Sequence, residues 1–98
     1  MEYKVIVSPR AQIEIENAID YYILQSDKAS AKFISIIKQA YEILESTPYL
    51  RIRYKNILGI KLKRFPYSLF FVINERKSTV RVLSCFHNKR DPKNRPEK

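Results

Sequence analysis

Residues 57–74, which read ILGIKLKRFPYSLFFVIN, decide the fold of this chain. Toward the end of 57–63, apolar side chains alternate with Lys61 and Lys63. Alternation with a period of two is the pattern of a half-buried β-strand. One face of this strand is therefore expected to be apolar. Both lysines are expected to project from the other face.

A turn and two further strands follow on the C-terminal side. Pro66 cannot donate to a β-ladder and presets a turn dihedral, so residues 64–67 are predicted to form a turn. Residues 68–74 are apolar almost throughout, which is typical of a central strand covered on much of both faces. After a polar turn, residues 79–86 form the last predicted strand. Consecutive strands joined by short turns favour an antiparallel meander.

Upstream of these strands, apolar residues recur at helical spacing. Residues 3–7 form a short β-branched strand. Ser8 followed by Pro9 is a helix start, because the hydroxyl can cap free amides and proline lacks only an N–H that the first turn does not use. The helical pattern breaks at 25–27, resumes, and ends before Pro48. The predicted order is βααβββ, an α+β fold in which a helical hairpin packs on an antiparallel sheet.

Size and composition indicate one domain without a membrane span. The 98 residues, 45% hydrophobic and 30% charged, suit a single unit over 1–98 with 91–98 as a flexible tail. No segment approaches the roughly 20 apolar residues of a span, and the N-terminus has no leader pattern, so a cytoplasmic location is expected. The single cysteine, Cys85, is expected to lie in the core. The sequence predicts no metal and no cofactor.

Positive charge is concentrated in the second half of the chain. Residues 1–50 carry five Lys or Arg against seven Asp or Glu, whereas residues 51–98 carry fourteen against three. This asymmetry predicts a polyanionic partner, either nucleic acid or an acidic protein segment. A solvated basic surface that aids solubility is the alternative. We expect the sheet to gather these charges on one surface, opposite the helices.

Two C-terminal stretches are similar to those of a known toxin family. Residues 59–71 (GIKLKRFPYSLFF) and 82–92 (VLSCFHNKRDP), with the strand at 3–7 and the segment SPRA at 8–11, resemble the RelE/ParE superfamily of type II toxins. The resemblance spans nearly the whole chain. It implies a growth-inhibiting toxin of a toxin–antitoxin (plasmid stabilisation) system. It also implies a cognate antitoxin, which we expect to be acidic and to lie across the helical hairpin and the sheet edge.

Within this superfamily the resemblance points to two targets. RelE-like members cleave mRNA on the ribosome, whereas ParE-like members are directed against DNA gyrase and have no agreed catalytic set. In RelE-like sequences an arginine usually follows the tyrosine of the third strand and a catalytic tyrosine lies near the C-terminus. Here Ser68 follows Tyr67, and Phe86 is the last aromatic residue. Because residues 87–92 also look ParE-like, a gyrase-directed poison is favoured. An mRNA endonuclease and a non-toxic basic nucleic-acid-binding domain are the alternatives.

RNA cleavage of the RelE-like kind needs no metal. The site must take a proton from a 2′-hydroxyl, stabilise the phosphorane charge and protonate the leaving oxygen. Lysine and arginine can hold that charge, and histidine titrates in the range for proton transfer. The candidate catalytic residues are therefore Lys61, Lys63, Arg81 and His87. The candidate contacts to nucleic acid or another target are Arg64, Lys89 and Arg90.

Each candidate also has a purely structural interpretation. Lys61 and Lys63 are ordinary solvent-facing strand residues in most proteins with this pattern. Arg81 is as suited to pairing with Glu75 as to contacting phosphate. His87 at a strand end is more often a hydrogen-bonded residue than a catalyst. The sequence leaves these alternatives open.

Overall fold

The secondary structure follows the predicted order, with one strand added. The protein is seen in a computed structural model that describes residues 2–49, 52–54 and 56–88, the backbone alone for 52–54. Its elements are β1 (Lys4–Val7), α1 (Pro9–Gln25), α2 (Asp27–Ser46), β2 (Ile52–Tyr54), β3 (Ile57–Lys61), β4 (Tyr67–Asn74) and β5 (Thr79–His87). The tail predicted at 91–98 lies outside the described residues. In the part of the chain that is described, neither helix combines the length and apolarity that crossing a bilayer requires.

Two serines set where the helices begin. The hydroxyl of Ser8 accepts a hydrogen bond from the N–H of Ala11 at 3.1 Å and caps α1, as the sequence predicts. Ser26 lies between the helices: its N–H donates to the carbonyl of Tyr22 at 3.0 Å, and its hydroxyl accepts from the N–H of Ala29 at 3.0 Å. One residue thus ends α1 and starts α2. The two helices pack against each other as a hairpin.

The strands form one mostly antiparallel sheet in the order β1-β5-β4-β3-β2. From β2 to β5 each strand is antiparallel to its neighbour, which confirms the meander. β1 instead pairs in parallel with β5, because the helical hairpin carries the chain across before it returns. This pair departs from the expected antiparallel sheet. The three-residue β2 was not predicted, since so short a strand offers too little alternation to recognise.

The central strand β4 is covered on both faces, as its apolar sequence predicts. On what we call the helix face of the sheet, its side chains join the main core with residues of both helices; those from β4 are Tyr67, Leu69 and Phe71. On the other face, which we call the outer face, Phe70 packs with Ile57 and Phe86 in a smaller apolar cluster. Charged side chains are therefore confined to the neighbouring strands, the turns and the helices.

A β-bulge in β5 changes the direction of the side chains that follow it. Phe70 lies opposite Ser84, but the next residue, Phe71, lies opposite Val82, so Leu83 has no partner across the pair. Side chains alternate between the faces of a strand, and one extra residue reverses the alternation beyond it. In the first half of β5 the even-numbered residues Val80 and Val82 therefore face the helices. In the second half the odd-numbered residues Cys85 and His87 face them.

The turn between β3 and β4 begins earlier than the sequence predicted. β3 ends at Lys61, and the N–H of Phe65 donates to the carbonyl of Leu62 at 3.3 Å to close a turn. Within it Arg64 has a φ of 71°, in the left-handed region that favours glycine. Lys63 thus belongs to the turn. The expected alternation of Lys61 and Lys63 along one strand face is wrong, because the turn interrupts the pleat between them.

We expect Ser8→Ala to destabilise the protein more than Ser26→Ala. Each substitution removes a helix cap worth about 1 kcal/mol. Ser8 is buried, and its hydroxyl also donates to the carbonyl of the bulged Leu83 at 3.1 Å. Losing that donor adds about 1 kcal/mol for the acceptor left unpaired. Urea denaturation of both variants gives the two losses in free energy of unfolding; equal losses would show that Ser8 acts only as a cap.

Candidate functional site

Lys61 and Arg81 both lie on the outer face of the sheet, but apart from each other. Lys61 pairs with Ser68, and Arg81 pairs with Val72 of the outer-face cluster. These register positions are four residues apart along β4, about 13 Å at the rise of a strand. Phe70 lies between them on the same face. The two cations are exposed but do not converge on one point.

His87 lies on the helix face. It pairs with Tyr67, and the two rings meet edge to face with their centroids 4.9 Å apart. Simple alternation would put His87 on the same face as Arg81, six residues before it. The extra residue at Leu83 reverses this, so the two side chains lie on opposite faces. Among the described residues, His87 and Arg81 therefore do not share the single surface opposite the helices that the sequence predicted.

Lys63 and Arg64 are also on the helix side of the molecule. They line a groove of about 270 Å³ between the β3–β4 turn and α2. The α2 residues that line it are Lys32, Ser35, Ile36 and Gln39. Lys63 is thus separated from Lys61, with which the sequence grouped it. The remaining candidates, Lys89 and Arg90, lie outside the described residues.

His87 lines a cleft formed by α1, the start of α2 and the ends of β4 and β5. Two cavities of about 320 and 300 Å³ share Tyr21 and His87. The other residues of the first are Tyr22, Gln25, Ala29 and Pro66. The other residues of the second are Glu14, Asn17, Ala18, Tyr67 and Cys85.

The chemistry that this cleft offers is hydrogen bonding, stacking and proton exchange. The imidazole of His87 can donate or accept a proton, and the tyrosines and amides can bind a planar polar ligand. None of the described residues that line it is Lys or Arg. The described lining therefore lacks the cation that would stabilise a phosphorane beside His87.

One wall of the cleft is part of the aromatic core. The ring of Tyr22 has its centroid 5.1 Å from that of Phe33, 5.0 Å from that of Phe65 and 6.4 Å from that of Tyr67. Tilted and edge-to-face contacts of this kind are the favoured arrangement of aromatic rings. The shape of the cleft is therefore set by core packing.

Glu14 ties α1 to β5 next to this cleft. One carboxylate oxygen accepts a hydrogen bond from the N–H of Cys85 at 3.0 Å, and the other is 3.2 Å from Nε of Arg10. Helical spacing alone gives no sign of this contact, because it does not show that the carboxylate of Glu14 turns toward a strand N–H. Lys32, Ser35 and Gln39, which line the groove beside α2, are also absent from the candidate residues predicted from the sequence. Their i, i+3, i+7 spacing on one face of α2 is the signal that could have grouped them.

Cys85 is a core residue, as expected from the sequence. It is 4% exposed, and burial, aided by the nearby charge of Glu14, raises the pKa of its thiol to about 12. Such a thiol remains protonated near neutral pH and is a poor nucleophile. Among the described residues, no group of three or more His, Cys, Asp or Glu is arranged to hold a metal ion.

Comparisons with known proteins point to one family. A family model described as the ParE toxin of the type II toxin–antitoxin system, parDE, matches residues 5–92. No curated protein matches the sequence.

Solved structures show the same fold at low sequence identity. A chain of the chromosomal ParDE system from P. aeruginosa superposes with a TM-score of 0.73 at 13% identity, covering 88% of this chain and 96% of that one. A chain of the RelBE2 toxin–antitoxin complex from Mycobacterium tuberculosis has a TM-score of 0.62 at 16% identity, covering 89% and 99%. A chain of the archaeal RelE–RelB complex from Pyrococcus horikoshii OT3 has a TM-score of 0.54 at 13% identity, covering 92% and 99%.

We expect the buried Cys85 thiol to resist alkylation and to make stability fall at high pH. Its pKa is raised in the folded state from the ordinary value of 9.0 to about 12. The unfolded thiol therefore ionises first, so stability is complete below pH 9 and is lost as the pH rises toward 12. Urea denaturation between pH 8 and 11 should show a steeper decline for the wild type than for Cys85→Ala. Rapid iodoacetamide labelling of the folded protein at pH 8 would contradict this.

Proposed function

Since the chain belongs to the family of ParE toxins of type II toxin–antitoxin systems, we propose that it arrests growth by binding DNA gyrase and not by cutting RNA. The observation that supports a binding mechanism is the separation of the four candidate catalytic residues. Lys61 and Arg81 are on the outer face, His87 is on the helix face, and Lys63 is in the turn beside α2.

Metal-free RNA cleavage needs its groups within hydrogen-bond distance of one phosphate and its neighbouring hydroxyl. The sheet itself separates His87 from Arg81, and about 13 Å of β4 separates the register positions of Lys61 and Arg81. One phosphate therefore cannot contact all of them. A poison that acts by binding needs only surfaces that fit its target, and dispersed cations are compatible with that. Its action would lie in the cytoplasm, where gyrase works.

The antitoxin of this proposal covers an exposed apolar surface of the helical hairpin. Ile13 is 58% exposed and Leu24 is 86% exposed. At 100° per residue they lie on nearly the same side of α1. Ile6 on the edge strand β1 is also exposed. An amphipathic segment could cover these residues and shield them from water. A complex in which the antitoxin leaves both the hairpin and the sheet edge uncovered would refute this placement.

An mRNA endonuclease is the second candidate, and the His87 cleft is the observation that favours it. Its two cavities together could admit a nucleobase, and both are lined by Tyr21, which is 45% exposed. In that mechanism His87 would exchange the proton. The negative charge of the phosphorane would then have to be stabilised by residues other than those described in the lining of the His87 cleft.

We expect induced expression of the chain to produce gyrase-linked DNA breaks while mRNA remains intact. RNA sequencing of induced cells, run beside a cleavage assay with purified gyrase, separates the two candidates. The matched variant carries Lys61→Ala, Lys63→Ala, Arg81→Ala and His87→Ala together, and its fold is checked by circular dichroism. A nuclease would lose mRNA cleavage completely in this variant, whereas a binding poison would retain gyrase-linked breaks. Ribosome-dependent mRNA cuts without DNA breaks would overturn the proposal. Absence of growth arrest would favour a non-toxic basic domain.

A further inference from the structure

The groove between α2 and the β3–β4 turn carries an uncompensated concentration of positive charge. Three of its six lining residues are cations: Lys32, Lys63 and Arg64. The lining residues include no carboxylate, and no ion pair within the described residues involves these three cations. The groove therefore repels cations and attracts a ligand with several negative charges.

Two neutral groups complete the lining on the α2 side. Ser35 carries a hydroxyl and Gln39 a side-chain amide, and both can donate hydrogen bonds. Together with Lys32 they occupy one face of α2 at i, i+3 and i+7, and Lys63 and Arg64 face them across the groove. Hydroxyl, amide, ammonium and guanidinium groups are the side-chain donors that contact phosphate oxygens.

The backbone of Arg64 supplies an independent observation. Its φ of 71° lies in the region where glycine has no steric cost and arginine does. A strained non-glycine residue that persists at such a position is an indication of function. Here the residue kept at the strained position is also one of the three cations of the groove.

We propose that this groove binds the phosphodiester backbone of nucleic acid. Three cations and two neutral donors line one short groove, and this donor set suits phosphate groups, whose oxygens accept hydrogen bonds from several donors at once. The net charge of +9 would draw the chain toward any polyanion before the groove makes contact. The described lining has no aromatic ring to stack on bases, so the contact is independent of sequence. The site does not depend on which target the toxin poisons.

The experiment is a salt titration of DNA binding by the full chain. Fluorescence anisotropy of a labelled 20-base-pair duplex of arbitrary sequence gives the binding constant between 50 and 200 mM salt. Each phosphate contact contributes about 0.9 to the slope of log K against log salt. The double variant Lys32→Gln with Lys63→Gln should reduce that slope by about 1.8. The control, Lys38→Gln with Lys77→Gln, removes the same charge from exposed positions outside the groove and should leave the slope nearly unchanged.

Arg64→Gly provides a variant that keeps the turn. Glycine suits the left-handed backbone, so the melting temperature should stay equal or rise while the slope falls by about 0.9. A lower melting temperature with unchanged DNA binding would mean that Arg64 has only a structural role and would overturn the proposal.

The same variants distinguish nucleic acid from an acidic peptide. Equal slopes for the groove and control double variants would overturn the proposal. A polyglutamate peptide whose binding depends on Lys32 and Lys63 while DNA binding does not would also overturn it, in favour of an acidic protein segment. Loss of DNA binding in the groove variants with gyrase poisoning intact would support the groove and leave the proposed target unaffected.

Discussion

The bulge at Leu83 is the constraint on which the arrangement of the functional surfaces depends. It leaves Leu83 without a partner on β4 and reverses the side-chain alternation of the second half of β5. Ser8, at the start of α1, holds this position: its N–H donates to the carbonyl of Val82 at 2.9 Å and its hydroxyl to that of Leu83 at 3.1 Å. The residue that caps the first helix thus also satisfies the irregular part of the last strand.

The bulge divides the polar groups of β5 between two environments. Arg81 remains on the outer face, next to an apolar cluster, whereas His87 turns toward the helices and contacts Tyr67. Strand β4 is buried on both faces of the sheet, which leaves no room for a charged side chain at the centre of either face. Cations therefore lie at the margins, and the largest concentration of them among the described cavity linings is in the groove beside α2. Such an arrangement suits contact with extended polyanions and partners more than chemistry at one phosphate.

Much of the fold could be predicted because its signals are local. The Ser8–Pro9 helix start, the break at Ser26 and the apolar run of β4 each follow from short-range preferences. The three-residue β2, the parallel pairing of β1 and the bulge could not be predicted, since each depends on contacts between distant segments. The family resemblance supplied the class of protein, which the family match confirms.

The candidate site was less predictable, because its arrangement also depends on contacts between distant segments. Grouping Lys61 with Lys63 assumed that the strand continues to residue 63. Arg81 and His87 would share a face only if the alternation along β5 were unbroken. A turn with Arg64 at positive φ ended the strand, and one inserted residue reversed the alternation. The residue types do not indicate these features. Glycine is the usual residue at a left-handed turn position, and among β-bulges only the G1 type requires it. The part of the site contributed by α2 was visible only once the turn was seen beside it.

Nuclear Overhauser effects from the His87 ring, measured in solution on the full chain, test the central claim most directly. Such effects report protons within about 5 Å, less than the separation of the two faces of a sheet. If the bulge sets the direction of His87, its ring protons contact those of Tyr67 and Tyr21, and the side chain of Arg81 contacts Val72. Contacts from the His87 ring to the side chain of Ser68 on the outer face, with none to Tyr67 or Tyr21, would contradict the account.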